Sequence, residues 1–167
     1  MEVGGRVLHR IKALRDFGNV KKGDIGGWIE CEDNLSHDDD CWVYGEASVC
    51  GEAEVCGEAR VYGEAEVCGE ADVCGEARVY GEARVCGEAR VCGEAVIKSK
   101  SDYIVFKNWW SSGRYFTWTR SNDMWSVGCF YGTGEELIKK AYNDSDEKGR
   151  EYERVVKYVE SIKSEIK

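Results

Sequence analysis

Residues 43–95 read VYGEAS-VCGEAE-VCGEAR-VYGEAE-VCGEAD-VCGEAR-VYGEAR-VCGEAR-VCGEA, a hexapeptide unit repeated nine times. Each unit holds Val, then Cys or Tyr, then Gly-Glu-Ala and one variable residue. A strict period of this kind is typical of solenoid folds, in which neighbouring repeats stack and share one core. A helix is not expected, because its period is about 3.6 residues and a Gly in every unit would cost it about 1 kcal/mol each.

A second period of 18 residues lies on the first, because tyrosine replaces cysteine at Tyr44, Tyr62 and Tyr80. The remaining cysteines of the repeat fall into the rows Cys50, Cys68, Cys86 and Cys56, Cys74, Cys92. Three hexapeptides per coil explain both periods. Strand alternation places Val and Ala on the inside and the Cys or Tyr position on the outside. The sequence therefore predicts a mainly β fold, a triangular parallel β-helix of about four 18-residue coils.

Three segments follow from this pattern. The interior row continues upstream through Ile29, Leu35 and Cys41, so we assign the β-helix to residues 29–101 and an N-terminal cap to residues 1–28. Residues 102–167 differ in composition and predict a small α+β unit. Its expected elements are a strand at Tyr103–Phe106, a hairpin formed by 115–120 and 124–130, a helix from Thr133 to about Tyr142, and a helix over Asp146–Ile166.

The repeat resembles the hexapeptide-repeat, left-handed parallel β-helix family, whose pattern is small-x-aliphatic-x-x-x. The resemblance implies a left-handed coil and favours a trimer, although flat faces could also pair as a dimer. The position after the aliphatic residue departs from that pattern, since it is Cys or Tyr here and usually small or acidic in the family. The segments Ala13–Gly18, Gly26–Trp28, Leu35–His37 and Trp42–Gly45 also look like uncharacterised phage and prophage proteins with such repeats, which implies a viral setting.

Composition narrows the function and the compartment. A net charge of -9 argues against non-specific nucleic-acid binding, which needs a basic surface. No apolar run is long enough for a transmembrane helix, and the N-terminus lacks the pattern of a secretory signal. We therefore expect a protein of the cytoplasm of an infected or lysogenic bacterium, without membrane association.

The nine cysteines are expected to be reduced. The two rows in the repeat are interpreted as small, half-buried packing residues; the alternatives are that they bind a soft metal or, in an oxidising compartment only, form disulfides between stacked cysteines. The rows lack the Cys-x-x-Cys spacing of structural zinc sites. No metal and no cofactor is predicted.

A partner-binding surface is expected on the coil side that carries tyrosine. Tyr, Trp and Arg are the residue types enriched at binding hot spots. The alternative is that these rings only pack against one another or receive the C-terminal unit. The predicted partner-binding residues are Trp42, Tyr44, Arg60, Tyr62, Arg78, Tyr80, Trp109, Trp110 and Arg114.

These features favour a non-enzymatic protein-binding module, which in a phage setting would inhibit a host or defence component. Stacked corner glutamates could imitate nucleic acid there, or form only a solvated edge. The first alternative is an acyltransferase, which the family resemblance implies and for which His37, beside Asp38–Asp40, is the candidate general base. The second is a structural, polymer-forming scaffold, against which both ends argue because they look like caps.

Overall fold

The computed structural model describes residues 1–108 and 112–165. It confirms the predicted triangular β-helix, which has about four turns built from three parallel sheets. The first sheet contains β4 (Ile25–Ile29), β6 (Ser48–Val49), β9 (Glu66–Val67) and β12 (Arg84–Val85). The second contains β7 (Glu54–Val55), β10 (Asp72–Val73) and β13 (Arg90–Val91). The third contains β5 (Trp42–Val43), β8 (Arg60–Val61), β11 (Arg78–Val79) and β14 (Val96–Ile97).

Each of the three sheets forms one face of the prism. We name each face after the residue, Tyr or Cys, that follows valine in its hexapeptides. The third sheet forms the tyrosine face, which bears Tyr44, Tyr62 and Tyr80. The first sheet forms the first cysteine face, which bears Cys50, Cys68 and Cys86. The second forms the second cysteine face, which bears Cys56, Cys74 and Cys92.

The interior consists of the repeated Val and Ala side chains, which are 0–1% exposed along the whole repeat. The corners depend on glycine, whose φ lies between 60° and 76° in all nine units. A Cβ on Gly69 would lie 2.8 Å from the backbone nitrogen of Gly87 in the next coil. Glycine therefore permits both the left-handed turn and the close stacking of coils.

The N-terminal cap covers the first coil, whose first strand, β4, begins at Ile25 and so lies partly before the predicted start of the β-helix at residue 29. A hairpin of β1 (Glu2–Val3) and β2 (Arg6–Val7) precedes β3 (His9–Lys12). Strand β3 pairs antiparallel with β4 and so covers the free edge of the first sheet. An exposed sheet edge invites pairing with other chains, and β3 removes this one.

The C-terminal unit is an antiparallel sheet with two helices. Its strands are β15 (Tyr103–Lys107), β16 (Tyr115–Thr119), β17 (Met124–Val127) and β18 (Phe130–Gly132), in sequence order. The helices are α1 (Gly134–Asp144), capped by Thr133 as predicted, and α2 (Asp146–Ile162). Helix α2 ends at Ile162, earlier than predicted, and Ile166 lies outside the described residues. A second core around Trp118, Trp125 and Val156 joins the sheet to the helices.

The C-terminal unit also closes the last coil. Within the prism, backbone N–H groups donate to carbonyls one coil further on, as Arg60 does to Ala77 at 2.9 Å. The last coil has no such neighbour, and side-chain oxygens of the C-terminal unit accept its N–H groups instead. These bonds join Cys86 to Tyr103 (3.4 Å), Arg90 to Thr117 (2.9 Å), Val96 to Ser121 (2.7 Å) and Lys98 to Asp102 (2.8 Å).

Candidate functional site

The tyrosine face carries a continuous ladder of rings. Strand register places Val61 beside both Val43 and Val79, so the tyrosines that follow them are neighbours. The Tyr62 and Tyr80 rings stack with centroids 4.9 Å apart and planes 6° apart, and Tyr44 meets Tyr62 edge-on at 6.4 Å. The rings are half-buried against one another, and burial raises the pKa of Tyr62. The ladder is therefore a rigid aromatic surface whose edges reach solvent.

Two arginines lie beside this ladder, Arg60 and Arg78, paired in register on β8 and β11. The Arg60 guanidinium donates a hydrogen bond to the Tyr44 hydroxyl, and Arg78 is exposed. Across residues 1–108 and 112–165, neither arginine forms a salt bridge to a carboxylate. Lys98, one coil after Tyr80 in the same column, places its ammonium 5.4 Å from the centroid of the Tyr80 ring. The described part of the tyrosine face thus carries three positive charges outside any salt bridge, on a protein whose net charge is -9.

Arginines at the equivalent position on the other faces are neutralised. On the first cysteine face Arg84 pairs with Glu66 at 2.8 Å, and on the second Arg90 pairs with Asp72 at 2.8 Å. In each pair the carboxylate lies one coil before the arginine in the same column. The variable residue of the hexapeptide therefore sets the charge of each face independently.

The structure corrects the assignment of Trp42 to the exposed surface. Its side chain is only 5% exposed, and its ring packs edge-on against Phe17 at 5.5 Å. A Cβ on Gly26 would lie 2.7 Å from the same ring, so this glycine makes room for it. Trp42 therefore holds the N-terminal cap on the first coil. The Gly26–Gly27 pair was the available signal, because adjacent glycines in a strand often mark a close approach.

Three predicted binding residues, Trp109, Trp110 and Arg114, are not placed on the tyrosine face. Trp109 and Trp110 are outside the described residues. Arg114 is exposed on the C-terminal unit, where it lines a cavity of about 440 Å³ with Cys129, Lys140 and Asp144. The structure thus brings together Tyr44, Arg60, Tyr62, Arg78 and Tyr80, and it places Arg114 on a different part of the molecule.

A cavity of about 460 Å³ lies between the N-terminal cap and the first coil, and it was not anticipated from the sequence. Ile29, Leu35 and Phe17 form part of its apolar wall, and both histidines, His9 and His37, line it. No pattern in the repeat signals this cavity. It arises where the cap meets the degenerate first coil.

Two of the three aspartates that follow His37 are engaged by other groups. Asp39 accepts from the backbone N–H of Gly57 at 2.9 Å and from Ser36, and these hydrogen bonds lower the pKa of Asp39. Asp40 pairs with Arg15 at 3.4 Å. His37 itself is exposed at the rim of the cavity.

Each cysteine face carries a column of three cysteines on successive coils. Both columns differ from the expectation of reduced thiols. The structure joins Cys68 to Cys86 and Cys74 to Cys92 by disulfide bonds. In-register stacking explains this, because successive cysteines of a column lie on adjacent parallel strands, with Cα atoms 4.6–4.7 Å apart. Cys50 and Cys56 remain as free thiols one coil before each bond, and burial raises the pKa of both.

Comparison with known proteins adds one partial likeness. No protein-family model matches the chain. A stretch of 43 residues is 37% identical to a protein described as "uncharacterized acetyltransferase YdcK" from Escherichia coli (strain K12). That stretch is 26% of this chain and 13% of the relative's length. The likeness and the fold both fit a hexapeptide-repeat β-helix.

None of the helices in the described part of the chain is long and apolar enough to cross a bilayer. The longest, α2, has 17 residues and carries charged side chains throughout.

Proposed function

We propose that this protein is a non-enzymatic binding module that recognises a protein partner through its tyrosine face. The observation that carries the proposal is the pair of unneutralised arginines, Arg60 and Arg78, beside a rigid tyrosine ladder. Aromatic rings and arginine are the side chains that dominate binding energy at protein interfaces. A partner surface that offers carboxylates would neutralise both arginines and cover the ring edges.

The charge of the tyrosine face favours a different protein over a second copy of this chain as its partner. A symmetric dimer places the same patch against itself. Two copies meeting at the tyrosine face would bring their arginines together, and like charges suppress such a pairing. We therefore propose that any dimer or trimer of the chain uses another surface and leaves the tyrosine face free.

The resemblance to phage and prophage proteins supports a finer proposal about the partner. It would be a host or anti-phage defence component in the bacterial cytoplasm, and binding would inhibit it. Most corner glutamates are exposed and could present a nucleic-acid-like surface to such a partner. The unpaired arginines point to an acidic partner surface, so direct contact at the tyrosine face is the part of the proposal that we would test first.

The test compares capture of proteins from a bacterial lysate by the wild type and by two double variants. Tyr62→Ala with Tyr80→Ala removes the ladder, and Cys50→Ala with Cys56→Ala changes free residues at the same hexapeptide position on the other faces. A partner retained by the wild type and the cysteine variant, and lost at least tenfold from the tyrosine variant, is the expected result. Equal capture by all three, or no specific capture, would refute the proposal.

An acyltransferase is the second candidate, favoured by the acetyltransferase likeness and by the cavity that both histidines line. It would use His37 as the base at the cavity rim. The measurement is hydrolysis or transfer from acetyl-coenzyme A, together with the thermal shift that this ligand produces. Turnover abolished by His37→Ala and retained by His9→Ala would favour the enzyme. Absence of both turnover and thermal shift would leave the binding module.

A polymer-forming scaffold has less support from the structure. End-to-end stacking of β-helices needs free backbone donors and acceptors at both ends. Strand β3 covers the first sheet at one end, and side chains of the C-terminal unit bind last-coil donors at the other. A molecular mass independent of concentration in light scattering is the expected result.

A further inference from the structure

The two cysteine columns combine a regular spacing with a regular chemistry. In each column three cysteines lie on successive coils of one sheet, Cys50, Cys68 and Cys86 in the first, and Cys56, Cys74 and Cys92 in the second. Their Cα atoms are 4.7 Å and 4.6 Å apart for the pairs that form disulfides. In the reduced protein each column becomes a row of thiols with the same repeat.

This repeat matches the span of two metal–sulfur bonds. A thiolate binds a metal such as zinc at about 2.3 Å, so two bonds laid end to end span about 4.6 Å. One ion therefore fits between successive thiolates when their side chains run parallel. The backbone need not move, because the strand register already sets the separation.

The number and kind of the available ligands favour a soft monovalent ion over zinc. Zinc in structural sites takes four ligands in a tetrahedron. Beside Cys68 and Cys86 the third available ligand is Glu66, whose carboxylate lies within 4.8 Å of both sulfurs. That carboxylate is already paired with Arg84 at 2.8 Å, and in the other column Asp72 is paired with Arg90. The first-column site thus offers two soft sulfurs and one engaged hard oxygen, and the second column offers two soft sulfurs on a face where Asp72 is held by Arg90.

We propose that the reduced protein binds Cu(I) between stacked cysteines, one ion in each column. Soft thiolates are ligands of both Cu(I) and zinc, and two of them fall short of the four that structural zinc takes. Two thiolates and one monovalent cation leave a single negative charge in each column. The inference does not rest on the proposed protein partner, because the columns lie on the other two faces.

Disulfide formation and metal binding exclude each other here, because they use the same sulfurs. The central cysteines, Cys68 and Cys74, are needed for every site in their columns. Without them the remaining thiols of a column are two coils apart, too far for one ion to bridge. Cys31 and Cys129 are exposed thiols outside both columns and provide a matched control.

The test is a competition for Cu(I) under reducing, anaerobic conditions. Protein is titrated into Cu(I) bound to bathocuproine disulfonate, whose complex absorbs visible light, at a chelator excess that a single thiol cannot overcome. Wild type and the control Cys31→Ser with Cys129→Ser are expected to withdraw equal amounts of Cu(I). Cys68→Ser or Cys74→Ser should each withdraw half as much, and the double variant none. Circular dichroism checks that every variant keeps the β-helix.

Two further arms guard against a folding artefact and test the redox dependence. Cys50→Ser with Cys86→Ser keeps Cys68 and removes both of its neighbours, so it should lose the first-column ion without a change at Cys68. Protein oxidised to both disulfides should withdraw no Cu(I). Undiminished withdrawal by the double central variant, or no withdrawal by the reduced wild type, would overturn the proposal.

Discussion

The tyrosine face and the two cysteine faces are built from the same hexapeptide and differ only in two outward positions. Their interior valines and alanines are equally buried, and their corner glycines have the same left-handed φ. One face then carries stacked rings and unneutralised arginines, while the other two carry disulfides and ion pairs. The comparison shows that the fold fixes the inward positions and leaves the outward ones free to give each face its own chemistry.

Reduction of the disulfides, which lie only on the cysteine faces, is expected to cause the largest loss in the free energy of unfolding. Each bond closes an 18-residue loop, for which loop-closure entropy gives about 3 kcal/mol of stabilisation. The free energy of unfolding, measured in urea with and without reductant, should therefore fall by about 3 kcal/mol for each bond. Cys68→Ser with Cys74→Ser should not respond to reductant. Equal midpoints for the wild type in both buffers would contradict the prediction.

The next prediction concerns the corners, where successive coils stack closely. Because all three faces share these corners, close stacking there should stabilise the whole prism and not one face. Gly69→Ala introduces a Cβ 2.8 Å from the Gly87 nitrogen at a φ of +75°. We expect the free energy of unfolding to fall by about 3 kcal/mol. Gly87→Ala has a φ of +73° and nothing within 4 Å, so it should lose only about 1–2 kcal/mol. Equal losses for both variants would show that coil contact contributes nothing.

Removing one ring of the tyrosine ladder should lower the free energy of unfolding by less than the corner substitution does. It should also lower it by more than the equivalent substitution on a cysteine face. Tyr62→Ala loses the stacked contact with Tyr80 and the edge contact with Tyr44, which together are worth about 1 kcal/mol. Cys56→Ala changes the same hexapeptide position on the second cysteine face and should stay within about 0.5 kcal/mol of the wild type. Thermal unfolding measures both. A larger loss for Cys56→Ala would reverse the comparison.

Acid should weaken the link between the N-terminal cap and the first cysteine face. Glu30 accepts from the Gly51 N–H at 2.7 Å and pairs with Arg6, and these contacts lower the pKa of Glu30. A lowered pKa in the folded protein stabilises it above the usual value of about 4.3, and this contribution disappears as pH falls through the folded pKa. Glu30→Gln should therefore lose less stability than the wild type between neutral pH and that range. Parallel curves for the two proteins would contradict this.

The β-helix could be predicted from sequence because its information is repeated. Every hexapeptide has the same pattern of inward and outward residues. Once the inward position is known in one unit, Val49, Val67 and Val85 are all predicted to face inward. The α+β elements after residue 102 were also recognisable, since Thr133 and Glu136 form a capping box and the apolar stripe of α2 has a helical period. In these regions local pattern and tertiary packing agree.

The parts that were missed lie where distant segments meet. Trp42 occupies a hexapeptide position that faces outward in the other coils, yet Phe17 of the N-terminal cap covers it. The cap has no repeat from which this contact could be predicted. The cavity near His37 has the same origin. The disulfides were missed for a different reason: a compartment argument favoured thiols, whereas the 4.6–4.7 Å stacking of Cys68 on Cys86 and of Cys74 on Cys92 brings sulfurs within bonding reach.

The most direct measurement of the central claim is site-specific photocrosslinking at one hexapeptide position on two faces. A photoreactive phenylalanine analogue replaces Tyr62 on the tyrosine face or Cys56 on the second cysteine face, and the protein is irradiated in bacterial cells. We expect a crosslinked protein partner from position 62 and none from position 56. A partner crosslinked from position 56, or crosslinked equally from both, would contradict the assignment of binding to the tyrosine face.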